Sequence, residues 1–242
     1  MRPWIVVPFA RPEFLGNLAE NYARQRLRPR MVVVENGRAV GACAAAGFRP
    51  DVVLTSPITQ SGAVRNVGMA YASRMDPTAP MGFMDDDDVY GSRYVEEAVD
   101  ALNRRDLGMV MKSYHFIRTP IGEVWLCDPG LAYSDDAPIG ILGATTMIRH
   151  AGMAHPMQAT CVGEDTRWGA ELRAKGARLG TTSIGNFVHI RHASNMTKYD
   201  PRQFRESFVK QEAWRLAPRF ANPRVVAEMG DLRPLMQGAV PV

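Results

Sequence analysis

Short apolar runs alternate with segments of helical character along the first half of the chain. The runs that predict buried strands are 4–7, 31–34, 52–54 and 82–84. The segments that predict helices, by apolar spacing or alanine content, are 14–22, 39–46, 63–75 and 94–102. Because strands and helices that alternate at this pace form a parallel sheet covered on both faces, the first half predicts an α/β fold with a Rossmann-like core.

The second half predicts shorter strands, one hairpin and one further helix. Strands are expected at 109–113, 144–148, 178–181 and 187–190, a hairpin at 116–126 and a helix at 166–175. The hairpin turns around Pro120 and Gly122, residues that favour tight turns. These elements complete a single domain that is expected to span residues 1–200.

The last segment, 201–242, predicts a C-terminal tail of one or two amphipathic helices with proline breaks. Its aromatic residues Phe204, Phe208 and Trp214 are expected to pack on the domain. Pairing with a second copy in a homodimer, or contact with a membrane surface, are the alternatives for this tail.

Composition places the chain among ordinary globular proteins, with 46% hydrophobic and 22% charged residues in 242. Its three cysteines are widely spaced, which argues against a disulfide framework and indicates a reduced, intracellular protein. No stretch approaches the roughly 18–20 apolar residues of a transmembrane helix. A cytoplasmic protein is therefore expected.

The formal charge of +4 suits an anionic ligand and permits nucleic acid without requiring it.

Four adjacent aspartates, Asp85–Asp88, follow the apolar run 82–84. Adjacent carboxylates repel one another unless water or a cation offsets their charge. A solvated acidic turn is the simplest interpretation in general. Since ligands of parallel sheets bind beyond the carboxyl ends of the strands, where Pro8 and Glu35 also lie, the position favours a site for a hard divalent cation.

Three further segments carry candidate chemistry. In Gly62–Gly68, Arg65 and Asn66 stand in the first turn of a helix, which suits phosphate, although a plain surface arginine is the alternative. Glu164 and Asp165 open another helix, where acids either offset the helix dipole or serve as a catalytic base.

The third of these segments is 189–192. On a strand, His189 and Arg191 share one face while His192 lies on the other. One histidine is a candidate metal ligand, and Arg191 is a candidate for binding phosphate. A partly exposed strand end is an equally good interpretation for each of these residues.

In this order, the segments resemble the family 2 type of inverting glycosyltransferases with the GT-A fold, over Trp4 to Asn195. The residues that carry the resemblance are Val6–Pro8, Val32–Gly37, Arg65–Gly68, Phe83–Asp87 and Gly163–Asp165. The resemblance implies a Rossmann-like, mostly parallel central sheet with flanking helices and a small antiparallel hairpin. The implied activity is transfer of a sugar from a nucleotide-diphosphate sugar, with a UDP-sugar as the first expectation.

For the donor, the resemblance implies that Glu35 and Asn36 contact the nucleobase, although Asn36 stands where the family usually has a second acid. Asp85 and Asp86 would contact the ribose and groups around it. Pro8 would border the same pocket.

For the chemistry, the resemblance implies Mn²⁺ or Mg²⁺ on Asp87, with Asp85 as the other candidate ligand. Asp165 would be the general base, with Glu164 supporting or replacing it. Arg65 and the metal would stabilise the charge that grows on the leaving diphosphate.

Two other function classes stay open. A cytidylyl- or uridylyltransferase would share the nucleotide-binding sheet, but normally has a glycine-rich, lysine-containing loop where this chain has Pro8–Pro12. A non-catalytic nucleotide- or glycan-binding module would share the fold without needing the acidic residues. The acceptor is left open among a glycan, a lipid-linked glycan, a protein and modified nucleic acid.

Overall fold

A computed structural model describes residues 1–104, 106–112, 115–118, 124–127, 143–160, 164–182, 187–190 and 208–210 of the chain. Its strands are β1 (Trp4–Phe9), β2 (Arg30–Asn36), β3 (Val52–Ser56), β4 (Met81–Phe83), β5 (Val89–Tyr90), β6 (Met109–Lys112), β7 (His115–Arg118), β8 (Val124–Cys127), β9 (Met147–Ile148), β10 (Leu179–Thr182), β11 (Phe187–Ile190) and β12 (Phe208–Lys210). Its α-helices are α1 (Leu15–Ala23), α2 (Ala42–Ala45), α3 (Ser61–Met75), α4 (Tyr94–Arg104) and α5 (Glu164–Ala174).

The central sheet has seven strands in the order β10-β6-β9-β4-β1-β2-β3. Strands β4, β1, β2 and β3 run parallel, as do β6 and β10, whereas β9 is antiparallel to both of its neighbours. The expected mostly parallel sheet is confirmed. Because β1, β2 and β4 run in the same direction, their carboxyl ends meet at one edge of the sheet, which is the edge where ligands of such folds bind.

Helices cover both faces of this sheet, as the burial of consecutive residues on β1 requires, because successive side chains of a strand point to opposite faces. Ile5 and Val7 belong to a core cluster that includes residues of α1 and α4, whereas Val6 belongs to a second cluster that includes residues of α3 and α5. All three side chains are fully buried. The result is a three-layer α/β domain with the sheet in the middle.

A second sheet has the order β12-β8-β7-β11-β5 and contains the expected antiparallel hairpin, β7 with β8. Strand β12 pairs antiparallel with β8. It lies in the tail for which helices were expected, so that expectation is wrong at Phe208–Lys210. Backbone pairing with β8 overrides the helical periodicity there. The rest of the tail, and the homodimer assigned to it, lie outside the described residues.

Two predicted elements are divided in the structure. The helix expected at 39–46 is a 3-10 turn, Gly37–Ala39, followed by the short α2, because Gly41 takes a left-handed φ of +85° between them. The strand expected at 144–148 is a 3-10 turn, Gly143–Thr145, followed by β9. Within the described residues, none of the helices has both the length and the apolar character needed to cross a bilayer.

Helix α3 packs against β1 at a glycine, which generates a prediction. A Cβ built on Gly68 would lie 2.4 Å from Cγ1 of the buried Val6, whereas one built on Gly16 of α1 meets no atom within 4 Å. Both glycines are helical, so Gly68→Ala and Gly16→Ala gain the same helix propensity. We expect Gly68→Ala to be less stable than Gly16→Ala by about 1–3 kcal/mol in urea unfolding, because of overpacking. Equal stabilities would contradict this close packing.

Candidate functional site

Asp85–Asp88, here called the acid loop, connects β4 of the central sheet to β5 of the second sheet. Its backbone is held by two amides of α1. Nδ2 of Asn17 donates to the carbonyls of Asp86 and Asp88, both at 2.8 Å, and Nδ2 of Asn21 donates to Asp88 at 2.8 Å. These bonds leave the carboxylates of the loop, rather than its backbone, available for other partners.

Two buried tyrosines, Tyr90 and Tyr94, stabilise the acid loop. The backbone N–H of Asp85 donates to Oη of Tyr90 at 2.8 Å. Tyr90 and Tyr94 both donate to the carbonyl of Ala144, at 3.1 and 3.0 Å. Burial and nearby aspartates raise the pKa of both phenols well above its ordinary value, so the hydroxyls stay protonated as donors.

Arg65 joins the acid loop to the start of α5. Its Nη2 lies 2.7 Å from Oδ1 of Asp85, and its Nη1 lies 2.9 Å from Oε1 of Glu164. Ser61 also donates to Oε1 of Glu164. Although burial opposes its charge, Asp85 and Glu164 raise the pKa of Arg65 above its ordinary value, with Asp165 adding to the effect. Arg65 therefore holds the acid loop and the start of α5 together.

Arg11 pairs with the middle of the acid loop. Its Nη1 lies 2.7 Å from Oδ2 of Asp87, and its Nη2 contacts Oδ1 of Asp86. Burial and the neighbouring Asp87 raise the pKa of Asp86, even though Arg11 acts in the opposite direction. The carboxylate charge here exceeds what one guanidinium offsets.

Asp88, at the end of the loop, is fully buried against β11. Its Oδ1 accepts from the backbone N–H of Ile190 at 2.9 Å and lies 3.0 Å from Nδ1 of His189. Burial raises the pKa of Asp88, whereas His189 lowers it. The Nε2 atom of His189 is buried and has no hydrogen-bond partner within the described part of the chain.

The acid loop suits a divalent cation. Asp85, Asp87 and Asp88 each offer an oxygen atom, and these atoms lie within 4.8 Å of one another. Carboxylate oxygens are the ligands that Mg²⁺ and Mn²⁺ prefer. Burial, together with the neighbouring aspartates, raises the pKa of Asp86 and Asp88, and a bound cation would offset their negative charge. His189 is not a member of this group, and it reaches the loop through Asp88 instead.

Glu35 and Asn36, at the carboxyl end of β2, differ in the hydrogen bonds of their side chains. The carboxylate of Glu35 accepts from the backbone N–H groups of Gly41 and Cys43, at 2.7 and 2.8 Å, and so fixes the turn that leads into α2. Oδ1 of Asn36 is buried and, among the described residues, lacks a partner. Of the two side chains predicted to contact a nucleobase, Asn36 is the one with an unused acceptor.

The side-chain amide of Asn66 is hydrogen-bonded to the backbone of Met157. Its Nδ2 donates to the carbonyl of Met157 at 2.8 Å, and its Oδ1 accepts from the N–H of Met157 at 2.7 Å. This pairing uses both ends of the amide and fastens α3 to the segment that precedes α5. The donor-binding role predicted for Asn66 has no support from these contacts. Pro8 lies half-buried within β1. Arg191 and His192 lie outside the described residues.

Asp165 lies in the first turn of α5, next to Glu164. It is half-buried, and its Oδ1 accepts from the N–H of Thr166 at 2.7 Å. Glu164 is buried, by contrast, and bonded to Ser61 and Arg65. The two acids therefore have different environments although they are adjacent in sequence.

The sequence analysis missed three groups of this cluster: Arg11, Asp88 as a candidate metal ligand, and the side-chain amides of α1. Asn17 and Asn21 stand four residues apart on one helix face, a spacing that could have indicated a shared partner. Arg11 follows the first strand at the edge where the acids lie. Its partners are 75 and 76 residues away, and nothing in the local sequence identifies them.

Solved structures with this fold include TarS from S. aureus. The complex of TarS 1-349 with UDP-GlcNAc has a TM-score of 0.62 and 13% identity, and the match covers 84% of this chain and 63% of that chain. The complex with UDP has a TM-score of 0.60 and 15% identity, covering 78% and 60%. The chain thus spans less than two thirds of the TarS chains that it matches.

No protein-family model matches the sequence, and no significant match was found among curated proteins. At these low identities, the solved structures establish the fold. The expected GT-A fold is confirmed.

The buried position of Arg65 between two acids generates a prediction. Arg65→Met leaves Asp85 and Glu164 without their shared counter-ion, so we expect a loss of about 3–5 kcal/mol in the free energy of unfolding, measured with urea at pH 7. Arg104→Met is the matched control, since Arg104 forms an exposed pair with Asp100. The control should change stability by at most about 1 kcal/mol. A similar small loss for Arg65→Met would contradict the structural role.

Proposed function

We propose that this protein is an inverting, metal-assisted glycosyltransferase that uses a nucleotide-diphosphate sugar, with a UDP-sugar as the first candidate. The observation that carries the proposal is the ion pair of Arg65 with both Asp85 and Glu164. It joins the acid loop at the end of β4 to the acidic start of α5. Donor-side and base-side groups predicted from separate motifs therefore belong to one connected cluster.

The nucleotide assignment is supported by the shared fold with TarS, whose structures hold UDP-GlcNAc and UDP. In this chain, Asn36 is the proposed contact for the nucleobase, because its buried Oδ1 can accept a hydrogen bond from a base N–H. Glu35 supports that contact indirectly by fixing the turn before α2. A buried acceptor that is satisfied only by the right base would favour that base over others.

Asp85, Asp87 and Asp88 are the proposed ligands for Mn²⁺ or Mg²⁺. When bound, such an ion supplies positive charge that offsets the negative charge developing on the leaving diphosphate. Arg65 has both terminal nitrogens on carboxylates, so we assign it to positioning these acids rather than to binding phosphate. His189 is assigned to orienting Asp88.

Asp165 is the proposed general base. Its half-buried side chain can approach an acceptor hydroxyl, whereas the carboxylate of Glu164 is buried and bonded to Ser61 and Arg65. Removing the proton from the acceptor oxygen makes that oxygen a better nucleophile as it forms a bond to the anomeric carbon. Departure of the diphosphate from the opposite side gives inversion in a single displacement.

The donor site generates a prediction about ligand binding. In a thermal-unfolding panel of nucleotide diphosphates with and without Mn²⁺, UDP with Mn²⁺ should raise Tm the most. A ligand at about 100 times its Kd adds roughly 2.7 kcal/mol. Asp87→Asn should remove the dependence on Mn²⁺, while Asp100→Asn, on the exposed face of α4, should keep it. The absence of a shift with every nucleotide would sink the donor assignment.

The base assignment generates a separate prediction. Asp165→Asn should lower the release of UDP from a UDP-sugar, with water or an added acceptor, by about 10²–10⁴-fold. Its affinity for UDP should stay close to that of the unsubstituted protein. Glu164→Gln should instead destabilise the fold, because it weakens the pairing with Arg65. Full turnover in Asp165→Asn, measured beside Asp100→Asn as the control, would exclude Asp165 as the base.

If the unsubstituted protein binds UDP but shows no turnover, a non-catalytic binding module would be favoured instead.

A further inference from the structure

Arg11 is held firmly on the acid loop. Its guanidinium forms a fork on Asp86, with Nη2 on Oδ1 and Nε 3.5 Å from Oδ2, while Nη1 lies 2.7 Å from Oδ2 of Asp87. The side chains of Asp86 and Asp87 are only 2% and 6% exposed. Pairing at this depth is stronger than on the surface, since little water screens it.

The backbone around Arg11 favours this position. Arg11 precedes a 3-10 turn, Pro12–Phe14, and its carbonyl accepts from the N–H of Phe14 at 3.0 Å. The guanidinium also lies over the ring of Phe14, 5.2 Å from its centre. Arg11 therefore follows β1 in a restrained turn at the carboxyl edge of the sheet. At 21% exposure, its side chain still has a face open to solvent.

Asp87 is consequently shared between two positive partners. It pairs with Arg11, and it also contributes an oxygen to the group with Asp85 and Asp88 that suits a divalent cation. Two cations on one buried carboxylate repel each other, so each lowers the affinity of the carboxylate for the other. A donor diphosphate at the same edge would give Arg11 a second anionic partner, one that arginine binds with paired hydrogen bonds.

We propose that Arg11 makes binding of the metal depend on the nucleotide. It opposes a divalent ion on the acid loop, and a bound diphosphate relieves this opposition by drawing the guanidinium toward itself. Metal and nucleotide then bind cooperatively, and the free protein retains little metal. This inference rests on the proposed function, because it requires the same acid loop and the same donor edge.

The test is a titration with Mn²⁺, followed by electron paramagnetic resonance of free Mn²⁺, with and without saturating UDP, and corrected for the Mn²⁺ that the same UDP binds without protein. In the unsubstituted protein, UDP should raise the affinity for Mn²⁺ by about 10-fold or more, within the usual range of coupling between sites. Arg11→Gln should bind Mn²⁺ alone about 10-fold more tightly, and UDP should then raise that affinity by a smaller factor than it does in the unsubstituted protein. Arg11→Lys keeps the positive charge and should stay close to the unsubstituted protein in its affinity for Mn²⁺ alone.

Two controls keep these outcomes separate. Arg104→Gln removes one positive charge from an exposed pair on α4 and should leave both affinities unchanged. Arg11→Met is a second neutral variant, which lacks the amide of Arg11→Gln, and urea unfolding checks that both neutral variants are folded before the titration. Unchanged or weaker binding of Mn²⁺ in both neutral variants would overturn the role of Arg11 while leaving the donor site standing. Failure of every variant, and of the unsubstituted protein, to bind Mn²⁺ and UDP would overturn the donor site and this inference together.

Discussion

The concentration of negative charge at the end of β4 is the constraint on which the rest of the site depends. Four consecutive carboxylates repel one another, and three of them are buried, where water cannot offset their charge. A basic side chain lies against each aspartate of the loop. Arg65 pairs with Asp85, Arg11 pairs with Asp86 and Asp87, and His189 contacts Asp88. Each partner comes from a different segment, so the loop ties the turn after β1, helix α3 and strand β11 to one point.

Neutral groups satisfy the backbone of the acid loop, because buried N–H and C=O groups also need hydrogen-bond partners. The amides of Asn17 and Asn21 and the hydroxyl of Tyr90 bond to the backbone of the loop or its flanking strand. None of these groups changes charge near neutral pH, so they hold the loop without changing its net charge. The local excess of negative charge that remains is what makes a divalent ion a fitting ligand.

Sequence patterns predicted the fold because its strands and helices are local, periodic features. The apolar runs at 4–7 and 31–34 correspond to β1 and β2, and Asp85–Asp88 was located at a strand end without knowledge of the sheet. The ion pairs were not predictable in the same way. Arg65 and Glu164 are 99 residues apart, and only the packing of α3 against the start of α5 brings them together. The pairing of Asn66 with Met157 spans 91 residues and is hidden for the same reason.

The pair Glu164–Asp165 shows how two adjacent acids acquire different chemistry. Successive residues in the first turn of a helix project about 100° apart, so one can face the core while its neighbour faces the edge of the sheet. Glu164 faces Gly62, where an added Cβ would lie 3.1 Å from its Cγ, and its charge is held by Arg65. Asp165 is left half-buried beside that pair. A base must release its proton after each turnover, which a carboxylate locked in a buried ion pair does poorly. The proposed division of roles therefore follows from burial: the enclosed Glu164 maintains the geometry, and the more accessible Asp165 is the acid that we propose as the base.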